Sequence, residues 1–210
     1  LGAHGEYILS PKLDDLACAW GCTQGFLASG DSGSLPVLCI FDNEEVGSAT
    51  KQGAASTFLR DTLRRISLAL GQDEEAFQTT LARSFLVSAD NAHAIHPDHP
   101  EYADADNCPR MNKGVVIKFN ANQHYATDGR SCAVFRAICT DADVPVQVMA
   151  NRSDLPGGST LGCIAGTLVP VSTVDIGLAQ LAMHAAWETM GIADCGYLMD
   201  AMARCFETEL

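Results

Sequence analysis

A chain of 210 residues that is 47% hydrophobic can bury a substantial core, most simply as one α/β domain, and its composition excludes a disordered chain. A formal charge of −13 without any lysine- or arginine-rich block argues against nucleic acid and against an anionic membrane surface as partners. No apolar run approaches the roughly 20 residues that span a bilayer, and the first residues lack the basic flank and apolar core of a secretion signal, so a cytoplasmic protein is expected.

Nine cysteines, an odd number scattered through apolar segments without CxxC pairs, read as reduced and mostly buried thiols rather than disulfides or a cysteine metal site.

In chain order, Ser10-Pro11-Lys12-Leu13-Asp14-Asp15 comes first. Pro11 forces the residue before it into extended geometry, and the apolar spacing from Leu16 to Leu27 predicts a helix beginning near the two aspartates. Either aspartate can simply cap that helix.

Val37–Phe41 reads as a short buried strand that ends on FDNEEVGS, residues 41–48. Gly47 and Ser48 then permit a tight turn before a helical segment over Ala54–Leu70. On extended backbone the side chains of Glu44 and Glu45 point in opposite directions, so they need not share a role. One could hold a cation while the other takes a proton from water, the division of labour a metal hydrolase requires; the plain alternative is a solvated acidic turn.

Phe85–Ser88 is the next strand, and SADNAH, residues 88–93, repeats the arrangement with Asp90 and His93 at its end. Asp90 is a plausible cation ligand, and His93 a ligand, a ligand's partner or a substrate contact; an Asx turn is the alternative. Residues 91–111, rich in His, Pro, Asp and Asn, are long for a plain connection and form either a functional loop or a mobile insertion.

Strands over Val115–Phe119, Val144–Met149 and Val171–Ile176 then alternate with helical segments Arg130–Asp141, Thr160–Leu168 and Ala193–Phe206. The alternation predicts an α/β fold, a mostly parallel central sheet with helices on both faces, in which function gathers where strands end.

His184, beside Gln180-Leu181-Ala182-Met183, gains weight only from company, since a lone histidine next to apolar residues is usually structural. Three carboxylate sites and one histidine, each at a predicted element end, fit a site for two divalent cations better than four independent caps. A bridging carboxylate, His or carboxylate terminal ligands and a metal-bound hydroxide make up such a centre, and the metal charge offsets the repulsion between the acids.

SPKLDDL, FDNEEVGS, SADNAHAIHP, NKGVVIKFNANQHYATD, RSDLPGGSTLG and TVDIGLAQLAMH, in this order and over nearly the whole chain, closely resemble the aspartyl aminopeptidase family of di-zinc metallopeptidases. The resemblance implies a di-zinc aminopeptidase sandwich in which Asp14 bridges two Zn2+ ions, Glu45 and His184 complete the hold on one, Asp90 holds the other, and Glu44 is the general base. It further implies a substrate pocket built with His93, Lys113, Tyr125, Arg152, Gly158 and Ser159. Mn2+ or Co2+ could occupy the same geometry.

Family resemblance also implies a peptide substrate with a free N-terminus and an acidic first residue, and a homo-oligomer, a tetrahedral dodecamer. Related readings share the ligands: a di-metal aminopeptidase or deacylase of different specificity, or a catalytically incomplete fragment acting only in assembly.

Departures from the family pattern are Lys12 and Asp15, where R-L-D-N is usual, and Pro156-Gly157-Gly158-Ser159, where Pro-Cys-Gly-Ser is common. The family also carries a first histidine ligand upstream of SPKLDDL, with a dimerisation insert between them. His4, the only histidine before Asp14, has neighbours unlike that motif. Residues 1–210 are accordingly expected to be part of a zinc-peptidase catalytic domain, with that upstream histidine segment and the insert outside the chain.

Overall fold

The computed structural model describes residues 1–155 and 157–209. Two four-stranded sheets organise the chain. The first has the order β1 (Tyr7–Ser10), β8 (Glu188–Gly191), β7 (Ala179–Leu181), β3 (Ala92–His93); the second runs β2 (Phe85–Ala89), β6 (Ser172–Gly177), β4 (Val115–Phe119), β5 (Val146–Ala150). In the second sheet β2 is parallel to β6 and β4 to β5, while β4 and β6 meet antiparallel. The α/β class expected from the alternation is what the chain adopts, with its strands divided between two mixed sheets.

Helices α1 (Leu13–Ala28), α4 (Gly129–Asp141) and α6 (Ile192–Glu207) cover one face of the second sheet. Strand periodicity decides which residues they meet: Val115 and Ile117 of β4 and Val174 and Ile176 of β6 enter this core. The alternate positions, Val116 and Lys118 on β4 and Asp175 on β6, look the other way, where Val116 packs with Tyr125 and Met149. A smaller core around Phe77, Leu81 and Val169 joins α2 (Phe58–Ala69) and α3 (Glu74–Arg83) to Leu86 of β2.

Strands β2 and β6 pass together from one sheet into the other. Their parallel ladder continues through Asp90 N–H to Ile176 O at 3.1 Å and Ala92 N–H to Leu178 O at 2.8 Å, then becomes the β3–β7 pair. Gly177 sits at the bend because a Cβ there would collide with the Asp90 carbonyl oxygen. The seam therefore fixes Asp90 between the two sheets.

One expected strand is absent. Residues 35–41 form no ladder, because among the described residues no strand lies alongside them. Leu38, Cys39 and Phe41 still pack against the cores, while Val37 and Ile40 are exposed. The helix expected from Ala54 begins at Phe58, since residues 43–56 are spent on turns such as Ser48 N–H to Asn43 O at 2.9 Å and Ala55 N–H to Ser48 O at 3.2 Å.

Candidate metal centre

Four separate stretches converge at the seam. Asp14 lies at the start of α1 in an extended conformation, outside the helix proper, and a cis peptide bond joins it to Asp15. His184 sits in the turn between β7 and β8, and its Nε2 is 3.1 Å from Asp14 Oδ2 and 3.0 Å from Glu45 Oε2. Ligand-type atoms of Asp14, Glu45 and His184 lie within 4.8 Å of one another, as do those of Asp14, Asp15 and Asp90. Asp14 belongs to both groups.

The acidic side of this cluster is under strain. Burial first, then the charges of Asp90 and Glu45, push the Asp14 carboxyl up to about 8. Asp15 is shifted strongly upward by burial and by Asp90, and Glu44 is raised by burial, Asp90 and Glu45. Asp14 Oδ1 and Asp15 Oδ1 are buried and accept no hydrogen bond. Buried, unpartnered carboxylate oxygens that repel one another are what a divalent cation would satisfy, and carboxylates with an imidazole suit zinc. The residues present thus fit the metal that the sequence implies.

Glu44 and Glu45 differ from expectation in backbone but keep different neighbours. They occupy a turn between two left-handed residues, Asn43 (φ 60°) and Ser48 (φ 60°), rather than a strand end. Glu45 contacts His184 directly, whereas Glu44 makes no such ion pair among the described residues and feels Asp90, Glu45, Lys118 and His184 through their charges.

Lys118 was not singled out by the sequence and is the cation at the centre. Its ammonium is 3.1 Å from Asp90 Oδ2, with the Lys118 side chain 2% exposed and that of Asp90 14%. It also lies over the Tyr125 ring, 5.6 Å from the centroid. Burial alone would lower its pKa, but Asp90, Tyr125 and Asp175 together raise it, so it stays charged. A lysine on a strand otherwise apolar on both faces was the available signal, because a buried ammonium requires a partner.

Lys113, expected in the pocket, is exposed beyond the opposite end of β4. The loop that carries it is bound elsewhere: Asp194 of α6 accepts the Asn112 and Gly114 N–H groups at 2.6 and 2.8 Å. The helix-start position of Asp194 holds that loop to α6, so within this chain Lys113 is not brought to the cluster.

Beside the cluster opens a cavity of about 340 Å³ lined by His93, His99, Arg152, Gly158, Gln180 and Ala182, among others. Partial burial first, then Lys118 and His184, lower the pKa of the His93 ring, although part of its surface remains accessible. Arg152 is paired with Asp154 at 2.5 Å and also donates to the Glu101 carbonyl. Residues 91–111 thus wall the cavity through their His96–His99–Tyr102 ring contacts and the Ile95 N–H to Pro109 O bond at 2.8 Å. Pro156, in the quoted Pro-Gly-Gly-Ser stretch, lies outside the described residues, and Ser159 is exposed.

Asp175 escaped sequence reading. Fully buried on β6, it accepts from Ala126 N–H at 2.5 Å and from Thr160 Oγ1 at 2.7 Å, which clamps the Tyr125 segment and the Gly157–Thr160 loop together. An acidic residue inside an apolar strand, in Val174-Asp175-Ile176, was its signal.

An α/β fold whose acidic seam gathers carboxylates and a histidine offers a candidate metal centre, and comparison places the chain in a family. Residues 1–206 match the family described as aminopeptidase I zinc metalloprotease (M18), and the chain belongs to this family. It is 46% identical over 199 residues to a probable M18 family aminopeptidase 2 of Clostridium novyi, an alignment covering 95% of this chain and 46% of the relative.

Among solved structures, the complex of Ape4 and Nbr1 superposes with a TM-score of 0.92 at 38% identity, over 99% of this chain and 40% of that one. A dodecamer of S. cerevisiae mApe1 gives 0.85 at 26% identity, over 98% of this chain and 47% of that one. The chain spans about half the length of the curated relatives it matches.

Proposed function

We propose that these residues form the metal-binding part of a zinc-dependent aminopeptidase that removes an N-terminal residue, with a preference for Asp or Glu. Asp14, Glu45 and His184 would hold one zinc ion, and Asp14 would be shared with a second held by Asp90. The observation that carries the reading is the Asp14–Glu45–His184 contact set, with Asp14 Oδ1 buried and unpartnered beside it.

Bound zinc would supply Lewis acidity, lowering the pKa of water and polarising the scissile carbonyl. Glu44 would take a proton from the attacking water and return it to the leaving amine. The Lys118 ammonium, 3.1 Å from Asp90 Oδ2, holds that carboxylate aimed at the seam. The free α-amine of the substrate would lie near Glu45.

His93, Tyr125, Arg152, Gly158 and Ser159 would bound the substrate pocket. The cationic Arg152 at its wall supports an acidic first residue, although it already has a carboxylate partner. A homo-oligomer, dodecameric as in the mApe1 structure, and a cytoplasmic location complete the proposal. No helix among the described residues is long and apolar enough to cross a membrane.

The test is zinc stoichiometry with hydrolysis of Asp-, Glu-, Leu- and Lys-arylamides. In the full-length protein Glu44→Gln should keep its zinc and lose orders of magnitude in kcat, and His184→Ala should lose zinc. Unchanged kcat in the first, or full zinc occupancy in the second, refutes the assigned roles.

A second reading, a catalytically incomplete segment, is favoured by the 46% coverage of the relative. It predicts zinc and turnover only in a longer polypeptide.

A further inference from the structure

One buried carboxylate ties together the two turns that present Asp14 and His184. Glu188, the first residue of β8, is 2% exposed. Its Oε2 accepts the backbone N–H of Asp14 at 3.0 Å, and its Oε1 accepts the backbone N–H of His184 at 2.8 Å. Each oxygen is thus occupied by the amide of a different proposed ligand, on elements 174 and 4 residues away in sequence.

Both turns need such an anchor. Lys12, two residues before Asp14, is left-handed at φ 58°, and Ala182 and His184 are left-handed at 59° and 66°. Side chains with a Cβ adopt that region only where surrounding contacts over-determine it. The Ala185 N–H to Ala182 O bond at 2.9 Å closes the second turn, but it is local and does not fix that turn against α1. Glu188 does.

We propose that Glu188 is a positioning residue that sets the affinity of the centre for its cation by holding the Asp14 and His184 backbones at a fixed separation. This rests on the reading of Asp14 and His184 as ligands. Glutamate is the side chain the geometry calls for, because both of its oxygens accept; glutamine would turn an NH2 group against one of the two N–H donors. Aspartate, one methylene shorter, keeps the charge but spans only one of them.

Zinc affinity of the full-length protein, measured by competition with a chromophoric chelator, tests this, with the visible absorption of the Co2+-substituted form as a second readout. Glu188→Gln should weaken zinc binding by about 10–100-fold and alter the Co2+ bands, as loss of a group that orients ligands does elsewhere. Should that variant fail to fold, Glu188→Asp carries the same expectation.

Asp194→Asn is the control. Asp194 is also fully buried and also accepts two backbone amides, but past the far end of β8, so its loss should reduce stability and leave zinc affinity unchanged. Wild-type zinc affinity in the Glu188 variants, or equal weakening in Asp194→Asn, overturns the inference while leaving the ligand assignment intact. Wild-type affinity in His184→Ala would instead overturn the ligand assignment and this inference with it.

Discussion

Lys118→Met is the substitution whose consequence follows most directly from the seam. Methionine fills the same apolar stem volume but removes the ammonium 3.1 Å from Asp90 Oδ2. Breaking a buried ion pair by deleting one partner costs about 3–5 kcal/mol, because the surviving charge stays buried. Asp90 retains 14% exposure, so some of its charge can still reach solvent and the lower end, about 3 kcal/mol, applies. For a chain of this size that corresponds to a fall of about 6–12 °C in Tm.

The loss should depend on metal. In protein stripped with a chelator, Asp90 would face Asp14, Asp15 and Glu44 without a compensating charge; with zinc bound, the cation replaces the lost ammonium. Urea denaturation at pH 7, with zinc and with chelator, measures both arms. The expected result is the full loss without metal and less than half of it with metal. Equal losses in the two arms, or a loss under about 1 kcal/mol without metal, would show that Asp90 is not embedded in the acidic cluster as described.

Two further outcomes follow from the pKa shifts. The folded chain keeps Asp14 protonated up to about 8, whereas the unfolded chain ionises it near 3.8. Between those values the folded state binds more protons, so stability of the metal-free protein should fall as pH rises from about 4 to 8, with Asp15 and Glu44 acting in the same direction. Stabilisation by added zinc should accordingly grow with pH over that window, and thermal melts showing it constant would refute the shift. Burial pushes the Cys22 and Cys139 thiols up to about 12 and that of Cys205 to about 11. At pH 8 these three should resist alkylation in the native protein and react on unfolding, as mass spectrometry of labelled peptides would read; rapid native labelling would contradict their burial.

Much of the second sheet and its helices was legible because each element is long enough to show its period. Phe85–Ser88, Val115–Phe119 and Arg130–Asp141 differ from β2, β4 and α4 by at most one residue at an end. The first sheet was not legible, since β3, β7 and β8 hold only two to four residues and cannot display alternation. Helix α3 was missed although Asp73 caps it, accepting from Ala76 N–H at 2.8 Å, and Phe77 and Leu81 bury one face. Val37–Phe41 failed for the opposite reason: its pattern is strand-like, but a strand exists only where a partner backbone lies beside it.

The same distinction separates the site residues that could be read from those that could not. Asp14 and Asp90 stand at element ends and Glu45 and His184 in turns, where a charged side chain beside an apolar run is conspicuous. Lys118, Asp175 and Glu188 stand within strands and are buried, so their charges are tolerable only through partners distant in sequence: Asp90 28 residues away, Thr160 15 away and Asp14 174 away. A sequence displays the residue types but not those pairings. Lys118 and Asp175 nevertheless leave a trace, a charged residue inside an apolar strand, where an unsatisfied charge would destabilise the fold, whereas Glu188 opens a strand too short to read. Such a residue is therefore evidence of a buried partner, and here all three partners lead back to the seam or to the loops that wall its cavity.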